Sequence, residues 1–83
     1  MNDDTVTLPP TLADLLVQHR KEAGLTQTMA AEAARFDVTT LSKLERGRRS
    51  PTLSQIERLC RVYGLDDVQR TRLMRTWAKD GAE

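Results

Sequence analysis

The sequence predicts an all-α fold, and three observations support that prediction. Apolar residues recur at helical spacing, and no stretch alternates with the period of two that is typical of strands. Aromatic residues make up only 4% of the chain. Threonine, aspartate and glycine lie where short helices would begin and end. We expect one small domain, because 83 residues are near the lower size at which apolar burial outweighs chain entropy.

The N-terminal part of the chain predicts a polar arm followed by a first helix. Residues 1–10 are polar, end in two prolines and are expected to form a flexible arm. Thr11 and Asp14 have the spacing of a capping box, and Gly24 ends the helix. The buried stripe of this helix is predicted to consist of Leu12, Leu15, Leu16 and Ala23.

Arg20 lies on the inner stripe of the first helix, four residues after Leu16. An unpaired guanidinium would be costly there, so an acidic partner is expected. Glu45 is the candidate for a structural ion pair, because it directly follows Leu44, which turns inward at the end of the third helix. The alternative is an Arg20 side chain that is simply solvated.

Single histidine and cysteine residues give little sign of chemistry. His19 has no cysteine or second histidine at ligand spacing, so we expect a surface or internally satisfied ring and no metal site. Cys60 follows Ile56 and Leu59 at helical spacing, which favours a buried, inert thiol over a redox role. No nucleophile has a histidine beside it, so we predict no catalytic residues and no cofactor.

Residues 26–47 predict two short helices joined by a tight turn. Thr26 can cap the second helix of the chain and Asp37 the third, eleven residues later. The second helix is then about two turns long, too short to be stable alone, so it must pack against the third. Together they form one angled unit. The inward residues are Ala30, Ala31 and Ala34 of the second helix and Leu41 and Leu44 of the third.

The outward face of the third helix has a charge, hydroxyls and a methyl group, but no acid. Lys43 can donate to guanine in a major groove, and Thr39 and Ser42 can bond base edges or phosphates. Val38 can contact a thymine methyl group. The residues predicted to contact DNA are Gln27, Thr28, Val38, Thr39, Thr40, Ser42, Lys43, Arg46, Arg48 and Arg49.

Positive charge is concentrated in the middle of the chain. Residues 35–61 contain seven bases and three acids, although the whole chain has a net charge of only +1. Arg46, Arg48 and Arg49 follow the third helix and are assigned to backbone phosphates, with an ordinary solvated surface as the alternative. Gln27 and the first amides of the second helix suit a phosphate, and the alternative is plain helix surface.

Two further helices are predicted after a basic loop that ends at Pro51. Thr52 caps the fourth helix, and Asp66 or Asp67 opens the fifth. Trp77 either completes the core or lies in a subunit contact. The domain is predicted to span residues 11–79, followed by a frayed tail over residues 80–83. The apolar residues at helical spacing are Leu53, Ile56, Leu59, Cys60 and Tyr63, then Val68, Leu73, Met74 and Trp77.

Four segments resemble the phage-repressor and Cro-like, or XRE-type, helix-turn-helix family: GLTQ, an alanine pair, VTTLSKLERG and SPTLSQIERLCRVYGL. The resemblance covers residues 12–65. It implies a five-helix, lambda-repressor-like fold in which Gln27 contacts a phosphate and the third helix enters the major groove. It also implies dimers on paired half-sites, and an arginine–glutamate pair that matches Arg20 and Glu45.

The chain departs from the family pattern at three places. Arg35 stands in the turn where the family usually has glycine, and a left-handed arginine would be strained enough to favour a reshaped turn. Met29 and Ala30 replace acidic and larger apolar residues, which weakens the cap and leaves space for Phe36. Val38 replaces a polar residue, so base contacts are fewer and specificity is expected to be modest or partly indirect.

Together these features predict a sequence-specific DNA-binding transcriptional regulator, most simply a dimeric repressor that inserts the third helix into a palindromic operator. The alternatives are an antitoxin that also binds a toxin protein, or a protein-interaction module that uses the fifth helix. The acidic N-terminus and the lack of a long apolar run predict no signal peptide and no membrane partner. We expect a cytoplasmic protein, bacterial or phage-encoded and nucleoid-associated.

Overall fold

The computed structural model describes residues 10–81, and within that range the chain forms five α-helices and no strand. The all-α prediction is therefore confirmed. The predicted arm lies outside the described residues, apart from Pro10. None of the helices in this range is long and apolar enough to cross a membrane. The helices are α1 (Leu12–Glu22), α2 (Gln27–Ala34), α3 (Val38–Glu45), α4 (Leu53–Val62) and α5 (Asp67–Gly81).

The beginning of α1 is held by two carboxylates. The predicted capping box is present: Asp14 N donates to Thr11 Oγ1 and Thr11 N donates to Asp14 Oδ2, each over 3.1 Å. Leu12 N donates to Asp80 Oδ2 of α5, also over 3.1 Å. Helix α5 runs to Gly81, two residues past the predicted domain boundary at residue 79, and Asp80 of the predicted tail makes this contact from within the helix. Residues 82–83 of the predicted tail lie outside the described range.

One apolar core joins all five helices. Helix α3 packs on α1 and α2, α4 packs on α2, and α5 packs on α1. The small residues of α2 allow close approach, and the inward residues predicted for α2 and α3 are all buried. The buried apolar residues are Leu12, Leu15, Leu16, Ala30, Ala31, Ala34, Leu41, Leu44, Ile56, Leu59, Cys60, Tyr63 and Leu73.

Three predicted core residues are exposed. Ala23 is the C-cap of α1, Leu53 is the first residue of α4, and Val68 in the first turn of α5 is 79% exposed. All three lie at helix ends, where the helix extends past the elements that cover its apolar stripe. Helical spacing identified the stripe correctly but could not show where its neighbours end.

His19 and Cys60 are both buried. The prediction of a surface or satisfied histidine is wrong, because neither ring nitrogen of His19 has a hydrogen-bond partner among the described residues. The closest acidic atom is Glu22 Oε1, 3.6 Å from Nδ1. Burial raises the pKa of the Cys60 thiol, which keeps it protonated and unreactive, as an inert thiol should be.

Trp77 joins α5 to the loop before α4. Its indole Nε1 donates to the carbonyl oxygen of Pro51 over 2.7 Å, and the ring packs half-buried against the core beside Met74. Trp77 therefore completes the core, which is one of the two interpretations of this residue. The indole has one donor, and that donor is used within the chain.

The α2–α3 turn keeps the left-handed conformation that glycine usually supplies. Arg35 has φ 63° and ψ 48°, and Phe36 N donates to Ala31 O over 2.8 Å. The expected reshaping of the turn is therefore wrong, and the strain of roughly 1–2 kcal/mol remains in the folded chain. Asp37 is the N-cap of α3 as predicted, but its carboxylate makes no capping hydrogen bond in the described chain.

Replacing Arg35 with glycine should stabilise the protein. Relief of left-handed strain exceeds the added entropy of an unfolded glycine, so we expect the free energy of unfolding to rise by about 0.5–1 kcal/mol. The melting temperature should rise by roughly 3–6 °C, measured by circular dichroism. Gly24→Ala is the matched control, since φ there is 75° and an added Cβ has no neighbour within 4 Å; it should lower the melting temperature. An unchanged or lower value for Arg35→Gly would show that the Arg35 side chain stabilises the turn.

Candidate nucleic-acid interface

The exposed face of α3 is set by two leucines. Leu41 and Leu44 are fully buried and turn the opposite side of this helix outward. Thr39 and Lys43, one turn apart, are exposed on that side, and Val38 at the helix start is 41% exposed. Thr40 and Ser42 are half-buried beside them. The face thus presents hydroxyls, methyl groups and one cation.

The basic residues after α3 continue directly from this face. Arg46 is the C-cap of the helix, and Arg48 N donates to Lys43 O over 2.9 Å, which closes the chain against the helix end. Gly47 makes that turn with φ 71°. Arg46, Arg48 and Arg49 are all exposed. Their charges therefore lie at the end of α3 where Lys43 is also found.

The carboxylate of α3 points inward and forms the predicted ion pair. Arg20 Nε donates to Glu45 Oε2 over 2.7 Å, and Nη2 donates to Oε1 over 3.1 Å. The two side chains are 12% and 3% exposed, so a solvated Arg20 is not what the chain adopts. The third donor, Nη1, bonds Leu25 O over 2.9 Å. The hydrogen bond to Glu45 raises the pKa of Arg20, which stays charged.

The surroundings of this ion pair are poorly solvated. Tyr63 is buried, and its hydroxyl has no partner in the described part of the chain. Burial raises the pKa of Tyr63, and the charge of Glu45 raises it further. The phenol is therefore neutral, and Glu45 depends on Arg20 for its countercharge.

Gln27 also donates to the buried carboxylate. Its Nε2 bonds Glu45 Oε1 over 2.8 Å, so the interpretation of Gln27 as plain helix surface is wrong. One amide hydrogen is used inside the protein and the second remains for an external acceptor. Thr26 Oγ1 accepts from Met29 N over 3.1 Å, which is the predicted cap. The amides of Gln27 and Thr28, in the first turn of α2, have no partner within the helix.

Arg58 of α4 is a functional candidate that the sequence analysis missed. Its guanidinium contacts the carbonyl groups of the α2–α3 turn and lies over the ring of Phe36. The partners are more than twenty residues away in the chain. No local sequence pattern indicates such a contact. From the sequence, Arg58 is only one of the seven bases in residues 35–61.

Removing Arg20 alone should cost more than removing the whole ion pair. Arg20→Met leaves a buried, unpaired Glu45, for which we expect a loss of about 3–5 kcal/mol in the free energy of unfolding. The double change Arg20→Met with Glu45→Leu removes both charges and should lose at least about 1 kcal/mol less. Urea unfolding followed by circular dichroism measures the free energy of unfolding of both variants. A single variant that does not fold, beside a double variant that does, would also support this expectation. A double variant as unstable as the single one would contradict the account of Glu45.

The family comparison covers most of the domain. A family model described as a helix-turn-helix domain matches residues 11–73, from the N-cap of α1 to Leu73 in α5. That range includes the α2–α3 unit, the basic loop and α4 in full. It therefore includes every residue predicted to contact DNA.

Three curated relatives are similar over the same region. An uncharacterized HTH-type transcriptional regulator of Methanothermobacter thermautotrophicus is 40% identical over 55 residues, which are 66% of this chain and 80% of that protein. DdrOP3, an HTH-type transcriptional regulator of Deinococcus deserti, is 41% identical over 54 residues, 65% of this chain and 42% of the relative. The regulator y4dJ of Sinorhizobium fredii is 40% identical over 50 residues, 60% and 65% of the two chains. The chain therefore belongs to the XRE-like helix-turn-helix family of DNA-binding transcriptional regulators, which is not a family of enzymes.

Proposed function

We propose that this regulator is a sequence-specific repressor, acting as a homodimer that inserts α3 into the major groove of a palindromic operator. The observation that supports the proposal most strongly is the outward face of α3. It is exposed, has no acid, and continues into three exposed arginines. The one acid of the helix is turned into the protein and neutralised there.

Base contacts are proposed for the face of α3. Lys43 donates to the O6 and N7 acceptors of guanine, and Thr39 offers a hydroxyl to a neighbouring base edge. Val38 contacts a thymine methyl group, a role that suits its exposed branched side chain. Thr40 and Ser42, which are half-buried, contact base edges or the phosphates at the rim of the groove. One lysine with two or three weaker contacts corresponds to modest specificity per half-site.

Phosphate contacts are proposed on both sides of α3. The flexible cations that follow α3 neutralise phosphates of one DNA strand; these are Arg46, Arg48 and Arg49. The free amides of Gln27 and Thr28, at the positive end of the α2 dipole, bind a phosphate of the other strand. The second hydrogen of the Gln27 side-chain amide adds to that contact. Glu45 orients this side chain from behind through its 2.8 Å hydrogen bond.

A dimer on two half-sites compensates for the few contacts that one α3 makes. Two helices about one turn of DNA apart contact twice as many bases. Repression needs only occupancy of the operator, which excludes other proteins from the same duplex. A protein-docking role for α5 through Trp77 has little support, because its indole donor is bonded to Pro51. We also propose that the protein is located at the nucleoid, because its proposed ligand is genomic DNA.

Lys43→Ala and Arg48→Ala should weaken DNA binding in different ways. Loss of a base contact costs about 1–3 kcal/mol on a preferred duplex and much less on a random duplex, so Lys43→Ala should reduce the ratio of the two affinities. Loss of a phosphate contact acts on both duplexes equally and reduces the slope of log K against log salt by about 0.9, which is the expectation for Arg48→Ala. Fluorescence anisotropy over a salt series measures both quantities.

The matched control is Lys21→Ala, which removes a lysine that is exposed on α1. It should leave the affinity ratio unchanged and the salt slope nearly so. If Lys43→Ala weakened both duplexes equally, Lys43 would contact only phosphate. If Arg48→Ala left the slope unchanged, the loop would be ordinary surface.

A further inference from the structure

We propose that Arg58 of α4 is a positioning residue for DNA recognition, which sets the orientation of α3 by holding the α2–α3 turn. The inference rests on the proposed role of α3 in base contact. It concerns a side chain outside the exposed interface. Arg58 therefore acts on specificity through the angle of the helix.

Arg58 contacts both sides of the turn. Its Nη1 donates to Ala34 O over 3.1 Å and, more weakly, to Arg35 O over 3.5 Å. Its guanidinium carbon lies 5.3 Å from the centroid of the Phe36 ring, within the range of a cation–π contact. Ala34 is the last residue of α2, and Phe36 is two residues before α3. A single guanidinium therefore contacts both the last residue of α2 and the segment that leads into α3.

Two backbone hydrogen bonds close the turn, Arg35 N to Glu32 O over 3.2 Å and Phe36 N to Ala31 O over 2.8 Å, but among the described residues no side chain of α2 or α3 adds a hydrogen bond to it. Helix α2 has no basic residue in its last turn, and its basic C-cap, Arg35, is exposed and makes no side-chain hydrogen bond within the described residues, although the C-terminus is the negative end of the helix dipole. Arg35 holds a left-handed conformation that side chains disfavour. Asp37 gives α3 no side-chain cap within the described chain. Arg58 supplies a cation that bonds the carbonyl groups at the end of α2 and a cation–π partner for Phe36 before α3.

The guanidinium is itself positioned from its own helix. Nε and Nη2 of Arg58 lie 3.4 Å from Ser54 O and Ser54 Oγ, one turn earlier, and the side chain is half-buried. A planar guanidinium can donate along one edge and stack through its face at the same time, whereas an ammonium cannot. Lysine at this position should therefore preserve the charge but lose the positioning.

Arg61→Ala is the matched control for Arg58→Ala. Arg61 is one turn further along α4, is exposed, and makes no side-chain hydrogen bond within the described residues. The two variants change the net charge equally on the same helix. A difference between them therefore reports the contacts of Arg58 and not its charge.

The first test uses amide hydrogen exchange without DNA. Phe36 N and Leu41 N bond Ala31 O and Asp37 O, so they report on the turn and the start of α3, while Tyr63 N, bonded to Leu59 O, reports on α4. We expect Arg58→Ala to speed exchange at Phe36 and Leu41 at least tenfold relative to Tyr63, and Arg61→Ala to leave the ratio unchanged. Uniform acceleration at all three amides would overturn the proposal.

The second test measures the affinity for a preferred duplex divided by that for a random duplex. Arg58→Ala and Arg58→Lys should reduce this ratio at least fivefold, and Arg61→Ala less than twofold. Adding Arg35→Gly to Arg58→Ala should restore the melting temperature but not the ratio. Recovery of both together would make Arg58 a stabilising residue only. If the wild-type chain showed no preferred duplex, the proposed function would fail, and the exchange experiment would still decide whether Arg58 orders the turn.

Discussion

The arrangement of this domain depends on one buried carboxylate. Glu45 is almost wholly removed from water, and it can remain charged there because Arg20 of α1 bonds both of its oxygens. Gln27 of α2 completes the shell. The side chains of α1, α2 and α3 therefore meet at Glu45. Apolar packing alone would not require this contact, but a buried carboxylate without a partner would be too costly to keep.

The same interaction organises the surface. With Glu45 turned inward, the outward side of α3 has no negative charge, and Lys43 faces solvent close to the exposed arginines of the following loop. The Gln27 bond holds the beginning of α2 beside α3, where the free amides of the first turn suit an anion. The buried pair is neutral as a whole and keeps the one acid of α3 off this surface, so Lys43 and the three arginines form a basic cluster on a chain with a net charge of only +1.

Local features of the fold could be predicted from the sequence because their causes are local. Caps at Thr11 and Thr26 and the helical spacing of leucines depend on neighbouring residues. The pairing of Arg20 with Glu45 could also be predicted, because Arg20 lies on an inward stripe and Glu45 directly follows the inward Leu44. Errors arose where distant contacts decide the outcome. Leu53 continues an apolar stripe but lies at the first position of α4, where it is 48% exposed. Arg58 contacts a turn more than twenty residues away in the chain, so no local sequence pattern predicts this contact.

In the proposed complex, α3 contacts bases while the residues around it contact phosphates. Selection of bound sequences from a random duplex pool by the purified chain, at near-physiological salt, tests this division of contacts most directly. We expect enrichment of a palindrome whose two half-sites are centred about 10 base pairs apart. Binding without any enriched motif, at an affinity that falls steeply with salt, would contradict it and leave only a phosphate-binding surface.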